Sequence, residues 1–325
     1  MEGMLTLLQP QRCGCNSCFH ESMNPTTAFV NQFLCYMSQT VTDKLFYYGI
    51  ASVFCYLLCS TALAQQDSTQ MTVEEMAKKR QDPVAGLRSV YLQDVMLPVG
   101  DGMAHSFSIQ PVFPIKLAKN LKLITYTIIP FQTVPALENT SHIPLHPVSS
   151  VADGSPQSNA GLGNILFNGY LSSIQKKGSI SWGIGPAIQL PTRTNPALGS
   201  NRLSMGPSAL FNHNGDKFSG GFVIQNFWSL GGEGNNKVNS LNFQYFTYYN
   251  LRKGWFMESN ATVITNWLAE TGQKTLLPLG GGGGKTFKIG NSPFFYCATG
   301  QLFYNTIKPD IVGDWQAVVQ FQIIF

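Results

Sequence analysis

The sequence predicts an all-β protein: a transmembrane, antiparallel up-and-down β-barrel of about 12 strands with a short periplasmic helix ahead of it. Three observations carry this. Segments of roughly ten residues alternate apolar and polar side chains and are separated by turn residues. Charged residues make up only 12% of the 325-residue chain while its mean hydropathy is near zero; a soluble globular chain carries about 25% charge. Finally, a single uncharged apolar run near the N-terminus gives way to polar sequence, the arrangement of an exported chain.

That run is 45–64, LFYYGIASVFCYLLCSTALA, with Lys44 ahead of it and Gln65-Gln66-Asp67 behind. Ala62-Leu63-Ala64 supplies the small-x-small cleavage pattern, so cleavage is expected near Ala64 and the mature chain should begin at Gln65. The rival reading is an uncleaved anchor, because the run is long enough to span a bilayer. Met37 would give a signal of ordinary length and is the expected translation start. The expected division is therefore 1–64 as extension and signal, 65–83 as a periplasmic segment and 84–325 as the barrel. Cys13, Cys15 and Cys18 fall in the extension, where C-x-C-x-x-C without a second half is a weak metal hint. Phe54 and Leu58 precede Cys55 and Cys59 where a lipidation site needs a small residue. Cys297 alone remains in the mature chain, so no disulfide framework is expected.

Residues 72–80, TVEEMAKKR, read as a helix opened by a Thr72/Glu75 capping box and stopped at Asp82-Pro83. Alternating segments follow at 84–94, 104–115, 121–132, 161–173, 180–191, 204–212, 218–230, 238–250, 255–268, 274–289, 292–305 and 314–325. In LNFQYFTYY, Leu241, Phe243 and Tyr245 share one phase and Asn242 and Gln244 the other. The last segment sets Trp315, Ala317, Val319, Phe321, Ile323 and Phe325 against Gln316, Gln320 and Gln322. Its apolar stripe, Phe321, Ile323 and Phe325, matches the terminal signature read by barrel-assembly machinery. Connectors alternate between short and long, as on the two faces of an outer-membrane barrel. In such a wall one phase meets lipid and the other the lumen, so Asn242, Gln244, Glu258, Asn260, Thr262, Asn266, Gln320 and Gln322 are expected to line the lumen. A soluble β-barrel or sandwich would tolerate more charge on its outer face.

LPLGGGGGKTFKIG, residues 277–290, looks like a phosphate-binding loop, but the G-x-x-x-x-G-K-[ST] register puts Leu279 where the first glycine is required. No nucleotide or other cofactor is expected. Within a strand the glycines mark either a bend packed against bulky neighbours or room for a ligand or for the N-terminal helix. Without residues 1–64, which contain Arg12, Lys44, Glu2, Glu21 and Asp43, 19 basic and 14 acidic residues remain, spread along the chain. No basic run interleaves with aromatics, which argues against a nucleic-acid partner.

The stretches QDPVAGLRSVYLQDV (81–95), SIQPVFPI (108–115), GLGNILF (161–167), WGIGPAIQLPT (182–192), NFWSLGGEG (226–234) and LPLGGGGGKTFKIG (277–290) resemble, in order, a family of bacterial outer-membrane transporters. It is known as the MetA-pathway phenol-degradation family and is sometimes mislabelled neuromedin U. The resemblance covers nearly all of 81–325. It implies a barrel in the outer membrane of a Gram-negative bacterium, lipids as its surroundings, and passage of small, hydrophobic or aromatic molecules. The family has no established catalytic residues, so none is carried over. Gly283 stands where the family commonly has Val, which bears on local strand packing.

Three functions compete: a channel or transporter, a structural barrel that carries nothing, and a barrel lipid hydrolase. His213-Asn214-Gly215 lacks the Ser of an H-x-S-N-G pattern, and Asn-Gly is a hairpin signal. His105 and Ser106 are adjacent and must point to opposite faces. His142 and His146 lie in the longest loop, with no metal spacing. No catalytic or metal residue is therefore expected.

Overall fold

The computed structural model describes residues 71–136, 142–143, 150–151, 158–174, 178–231 and 237–325, all within one compact unit, Gln65–Phe325. The expected start and signal, with Ala62 and Ala64, lie outside these residues, as does His146.

Thr72 opens helix α1 (Val73–Lys79) through the expected capping box. Its Oγ1 accepts from the Glu75 amide at 3.2 Å, and Glu75 Oε2 accepts from the Thr72 amide at 2.8 Å. This satisfies two amides that have no partner inside the helix. Those bonds also hold the exposed Glu75 carboxyl below its ordinary pKa, the one from the Thr72 backbone foremost.

Among the described residues the strands are β1 (Ser89–Val99), β2 (Gly102–Lys116), β3 (Leu121–Val134), β4 (His142–Ile143), β5 (Ser150–Val151), β6 (Asn159–Leu162), β7 (Ile165–Ser173) and β8 (Ile180–Leu190). They continue with β9 (Leu203–Asn214), β10 (Phe218–Gly231), β11 (Asn239–Asn250), β12 (Trp255–Asn266), β13 (Thr275–Phe287), β14 (Phe295–Ile307) and β15 (Trp315–Ile324). β4 and β5 form a separate ribbon; the others pair antiparallel with their neighbours, and β1 pairs with β15 to close the ring. β6 and β7 both pair with β3 and share one wall position, so the barrel has 12 strands. Closure leaves no free edge, the condition for strands in a bilayer, where no water can satisfy backbone groups.

Side-chain burial is the inverse of a soluble protein's. Phe107, Trp182, Phe222, Met257, Leu302 and Val319 are exposed on the outer wall, while Gln110, Gln132, Asn168, Asn242, Thr262 and Gln322 are buried inside. The apolar belt meets lipid and the polar phase faces inward.

The strands differ from the expected segments in three main respects. The first begins at Ser89, not at 84, because 84–88 belong to the N-terminal segment. The expected connector 95–103 is instead regular ladder turning at Gly100-Asp101, with Val99 opposite Gly102. Gly100 has φ 54°, a left-handed conformation that suits glycine. This tight turn lies at the end opposite the other short turns, and at their own end the 288–294 connector is as long as 308–314, so the short–long alternation has two exceptions. The expected strand 161–173 is interrupted after Leu162. There Thr192 Oγ1 donates to the Gly163 carbonyl and accepts from the Ile165 amide, each at 2.9 Å, and Thr194 Oγ1 accepts from the Leu162 amide at 3.1 Å. Side chains of the 191–202 connector thus take over hydrogen bonds the ladder gives up.

The glycine run is explained by close approach. A Cβ on Gly282 would stand 1.9 Å from the Gly300 carbonyl oxygen, and one on Gly284 would stand 2.5 Å from the Phe256 ring and 2.6 Å from Thr299 Cγ2. A Cβ on Gly283 would meet only the Phe256 carbonyl, at 3.1 Å. Gly284→Val is therefore expected to destabilise the barrel by about 1–3 kcal/mol, as overpacking does. Gly283→Val should cost clearly less. Urea titration of the folded, heat-modifiable band measures both, and equal losses would overturn the close-approach account.

Candidate functional site

The site is the lumen, and the N-terminal segment forms its floor. Met76 and Arg80 are one helical turn apart and share the inward side of that segment. Met76 packs with Phe295 and Ile324 at the base of the wall. Arg80 continues upward. Its Cζ lies 4.1 Å from the Phe256 ring centroid and 5.6 Å from that of Tyr248, and its Nε donates to Thr286 Oγ1 at 3.3 Å. Glu258, one inward position above Phe256 on β12, brings a buried carboxyl group near it. Arg80 Nη2 and Glu258 Oε1 are both buried and make no hydrogen bond within the protein.

Three further contacts seat the segment. Gln81 Nε2 donates to Asn250 Oδ1 at 2.7 Å, and Ser181 Oγ donates to Asp82 Oδ1 at 2.8 Å. Lys122 Nζ donates to the Val84 carbonyl. Each joins the segment to a different part of the wall, so it is held at several points around the mouth.

Above the floor lies a cavity enclosing about 1070 Å³ of empty space, part of it open to solvent. The side formed by β3, β7 and β9 is mainly apolar and aromatic, with Tyr126, Ile128, Leu166, Tyr170 and Leu210, and carries the amide Asn168 among them. The side formed by β1, β11, β12 and β15 is rich in amides, Gln93, Asn242, Gln244, Asn260 and Gln320, with Tyr91, Phe246 and Tyr248 nearer the floor. These polar groups partly satisfy one another. Gln320 Nε2 donates to Gln93 Oε1 at 3.1 Å, and Gln244 Nε2 to Asn260 Oδ1 at 2.9 Å. On the apolar side the Tyr170 hydroxyl accepts from Gln225 Nε2 and from Ser208 Oγ, each at 2.9 Å. A smaller cavity, with room for little more than a water molecule, shares Gln93, Gln244, Asn260, Thr262 and Gln320 with the first and continues it along the amide side.

Of the residues expected to face the lumen, Asn242, Gln244, Asn260, Thr262 and Gln320 border the main cavity. Glu258 and Gln322 are buried but border neither cavity. Asn266 stands at the far end of β12, where its Oδ1 accepts from the Leu268 amide at 3.1 Å and caps the turn. Phe321 stacks on Tyr296 at 6.0 Å on the outer wall, and Ile323 lies on the same outward phase. Phe325 packs edge-on against Phe294 at 5.3 Å while its amide donates to the Arg88 carbonyl at 3.0 Å.

The alternation rule missed Arg80 and the aromatic residues that hold it. Phe246, Tyr248 and Phe256 sit on the phase read as polar yet are buried inside. The signal available for Arg80 was its position four residues after Met76 on the helical face.

The histidines separate as their positions require. Ser106 points inward and is buried, while His105 faces outward with its Nδ1 3.1 Å from Asp94 Oδ2. His213 is exposed at the β9–β10 hairpin, its Nδ1 3.1 Å from Ser179 Oγ of the adjacent turn. Among the described residues no three His, Cys, Asp or Glu side chains come together to hold a metal ion.

Fold and lumen together define a transmembrane β-barrel with an internal cavity and an N-terminal segment seated in one mouth. Its fold is similar to that of an outer membrane channel from Pseudomonas putida F1, with a TM-score of 0.52 and 14% identity over 80% of this chain and 98% of that one. Weaker similarity extends to the CymD monoaromatic hydrocarbon channel, with a TM-score of 0.32 and 9% identity over 76% of this chain and 91% of that one. No protein-family model matches the chain, and neither does any curated protein.

Proposed function

We propose that this chain is a channel in the outer membrane for small, predominantly neutral molecules with an apolar or aromatic body, and that the N-terminal segment narrows its periplasmic mouth. The observation that carries this is the two-sided lumen, with rings and aliphatic groups on one side facing amides on the other. Such a surface takes the body of a small aromatic solute on one wall and its polar edge on the other. Neutral cargo fits the lining, which apart from Arg80 at the floor is built of uncharged side chains. The outer-membrane channel that shares the fold and the resemblance of the sequence stretches both support the reading. On this reading the chain is exported with cleavage near Ala64, and Phe321, Ile323 and Phe325 address it to barrel-assembly machinery. Deleting Phe325 should then lower the folded fraction recovered from the outer membrane, and unchanged recovery would remove that partner.

A second reading has support of its own. The Gln320–Gln93 and Gln244–Asn260 bonds close part of the amide side on itself, and a closed, purely structural barrel would show the same bonds. A lipid hydrolase has less support: the exposed Ser179–His213 pair lacks a described carboxylate bonded to the imidazole. Liposomes carrying the protein with and without residues 65–88 separate these readings. A channel admits phenol-sized neutral solutes, faster without the segment, and conducts ions weakly. Failure to admit any solute in either form would leave the structural reading, whereas release of fatty acid from the liposome lipid would establish the hydrolase.

A further inference from the structure

The positive charge that is spread along the sequence is gathered by the fold at one end of the barrel. Lys116 and Lys119 lie at the β2–β3 turn, Lys217 at the β9–β10 turn, and Arg252 and Lys253 at the β11–β12 turn, all exposed. Lys285, on the outer side of β13, lies with Nζ 5.1 Å from the centroid of the Trp255 ring. Among the described short turns the carboxylate is Asp216, which already meets Lys78 at 3.2 Å. At the opposite end Asp101, Glu270, Asp310 and Asp314 offset most of the basic residues.

The height of these cations is fixed by their neighbours. Leu117, Phe218 and Leu251 are large, exposed and adjacent to them in sequence, and the exposed Trp255 lies opposite Lys285 across the strands. The apolar belt therefore ends where the cations begin, and that boundary is the level of lipid headgroups. Long basic side chains at that height keep their stems on apolar surface and their charge among phosphates.

We propose that this rim is a binding collar for anionic phospholipid headgroups, which fixes the height of the barrel and the leaflet its short turns face. Its cations recur around the circumference and alternate with apolar residues, the distribution a lipid annulus requires. A folded acidic protein would instead need one compact patch. The inference rests on the transmembrane placement and is independent of whether the lumen passes solutes.

The test is native mass spectrometry of the protein released from vesicles of equal parts phosphatidylcholine and phosphatidylglycerol. The wild type should retain phosphatidylglycerol in excess, with each basic residue contributing up to roughly fivefold. High salt should shrink that excess. Lys119→Gln, Lys217→Gln, Arg252→Gln and Lys253→Asn together should remove most of it, leaving the part held by Lys116 and Lys285, in protein that still migrates as a folded, heat-modifiable band. Asn is chosen at 253 because the residue has φ 58°. Lys119→Gln and Arg252→Gln made singly should each give a partial loss, which keeps the test open if the combined variant fails to fold. Lys237→Gln with Lys274→Gln, at the other end, should change nothing. Equal retention of the two lipids by the wild type would overturn the collar. So would an unchanged excess in the short-turn variants, or a matching loss in the far-end pair.

Discussion

Replacing Arg80 with alanine is expected to unseat the N-terminal segment and raise single-channel conductance several-fold. The guanidinium is enclosed by Phe256, Tyr248 and Thr286, and a desolvated cation over an aromatic ring is worth about 2 kcal/mol. A loss of that size shifts a docking equilibrium by roughly thirtyfold. Alanine also leaves Glu258 buried without its cationic neighbour, so the folded barrel should lose stability as well. Adding Glu258→Gln replaces that unpartnered carboxyl group with a neutral amide. The double variant should therefore regain much of the stability of the single one while its conductance stays high. Lys at 80 keeps the charge but not the planar group that lies over Phe256, so it should close the mouth only partly. Glu258→Lys, read from sequence alone, would be a change in the selectivity of the pore lining. In the structure it sets a second cation against Arg80 and should open the mouth too. Wild-type conductance in Arg80→Ala would mean that the Gln81, Asp82 and Val84 contacts hold the segment without it.

Period-two alternation exposed the barrel because a bilayer enforces it: a strand slipped by one residue would turn its whole polar set toward lipid. For the same reason the phases of β11, β12 and β15 were legible, and Asn242, Gln244, Asn260, Thr262 and Gln320 were placed together from the pattern. The rule fails where something other than water fills the lumen. Phe246, Tyr248 and Phe256 are inward because the N-terminal segment occupies the mouth and needs apolar partners there. Nothing in the local sequence of β11 or β12 records that occupant. The break between β6 and β7 was hidden in the same way. The side chains that replace its ladder bonds, Thr192 foremost, come from a connector about thirty residues away. The collar was invisible as a run of charge because its members lie in separate turns, and only the closed ring brings them to one height.

Arginine at Leu302 is expected to destabilise the folded barrel by about 2–4 kcal/mol, the cost of a basic residue at mid-depth on a lipid-facing wall. Leu302 is 61% exposed, near the middle of β14, with Gly281 and Ala317 as its cross-strand neighbours. An arginine there finds no anion. Val319 is comparably exposed, at 54%, but its register partner on β1 is Asp94. Asp94 faces outward toward His105, and its Oδ1 makes no hydrogen bond within the protein. Arginine at 319 can therefore pair with Asp94 across the strands, and Coulomb attraction is strong where water is excluded. Val319→Arg should cost less than Leu302→Arg by about 1 kcal/mol or more. Adding Asp94→Asn should restore the full penalty. Gln320→Arg, one position on and facing the cavity, should be milder than either uncompensated change. Urea titrations of the refolded proteins in phospholipid vesicles measure all four. Equal losses at 302 and 319 would show that Asp94 does not share the outer face with Val319. If neither arginine has an effect, the apolar belt does not face lipid and the transmembrane assignment fails with it.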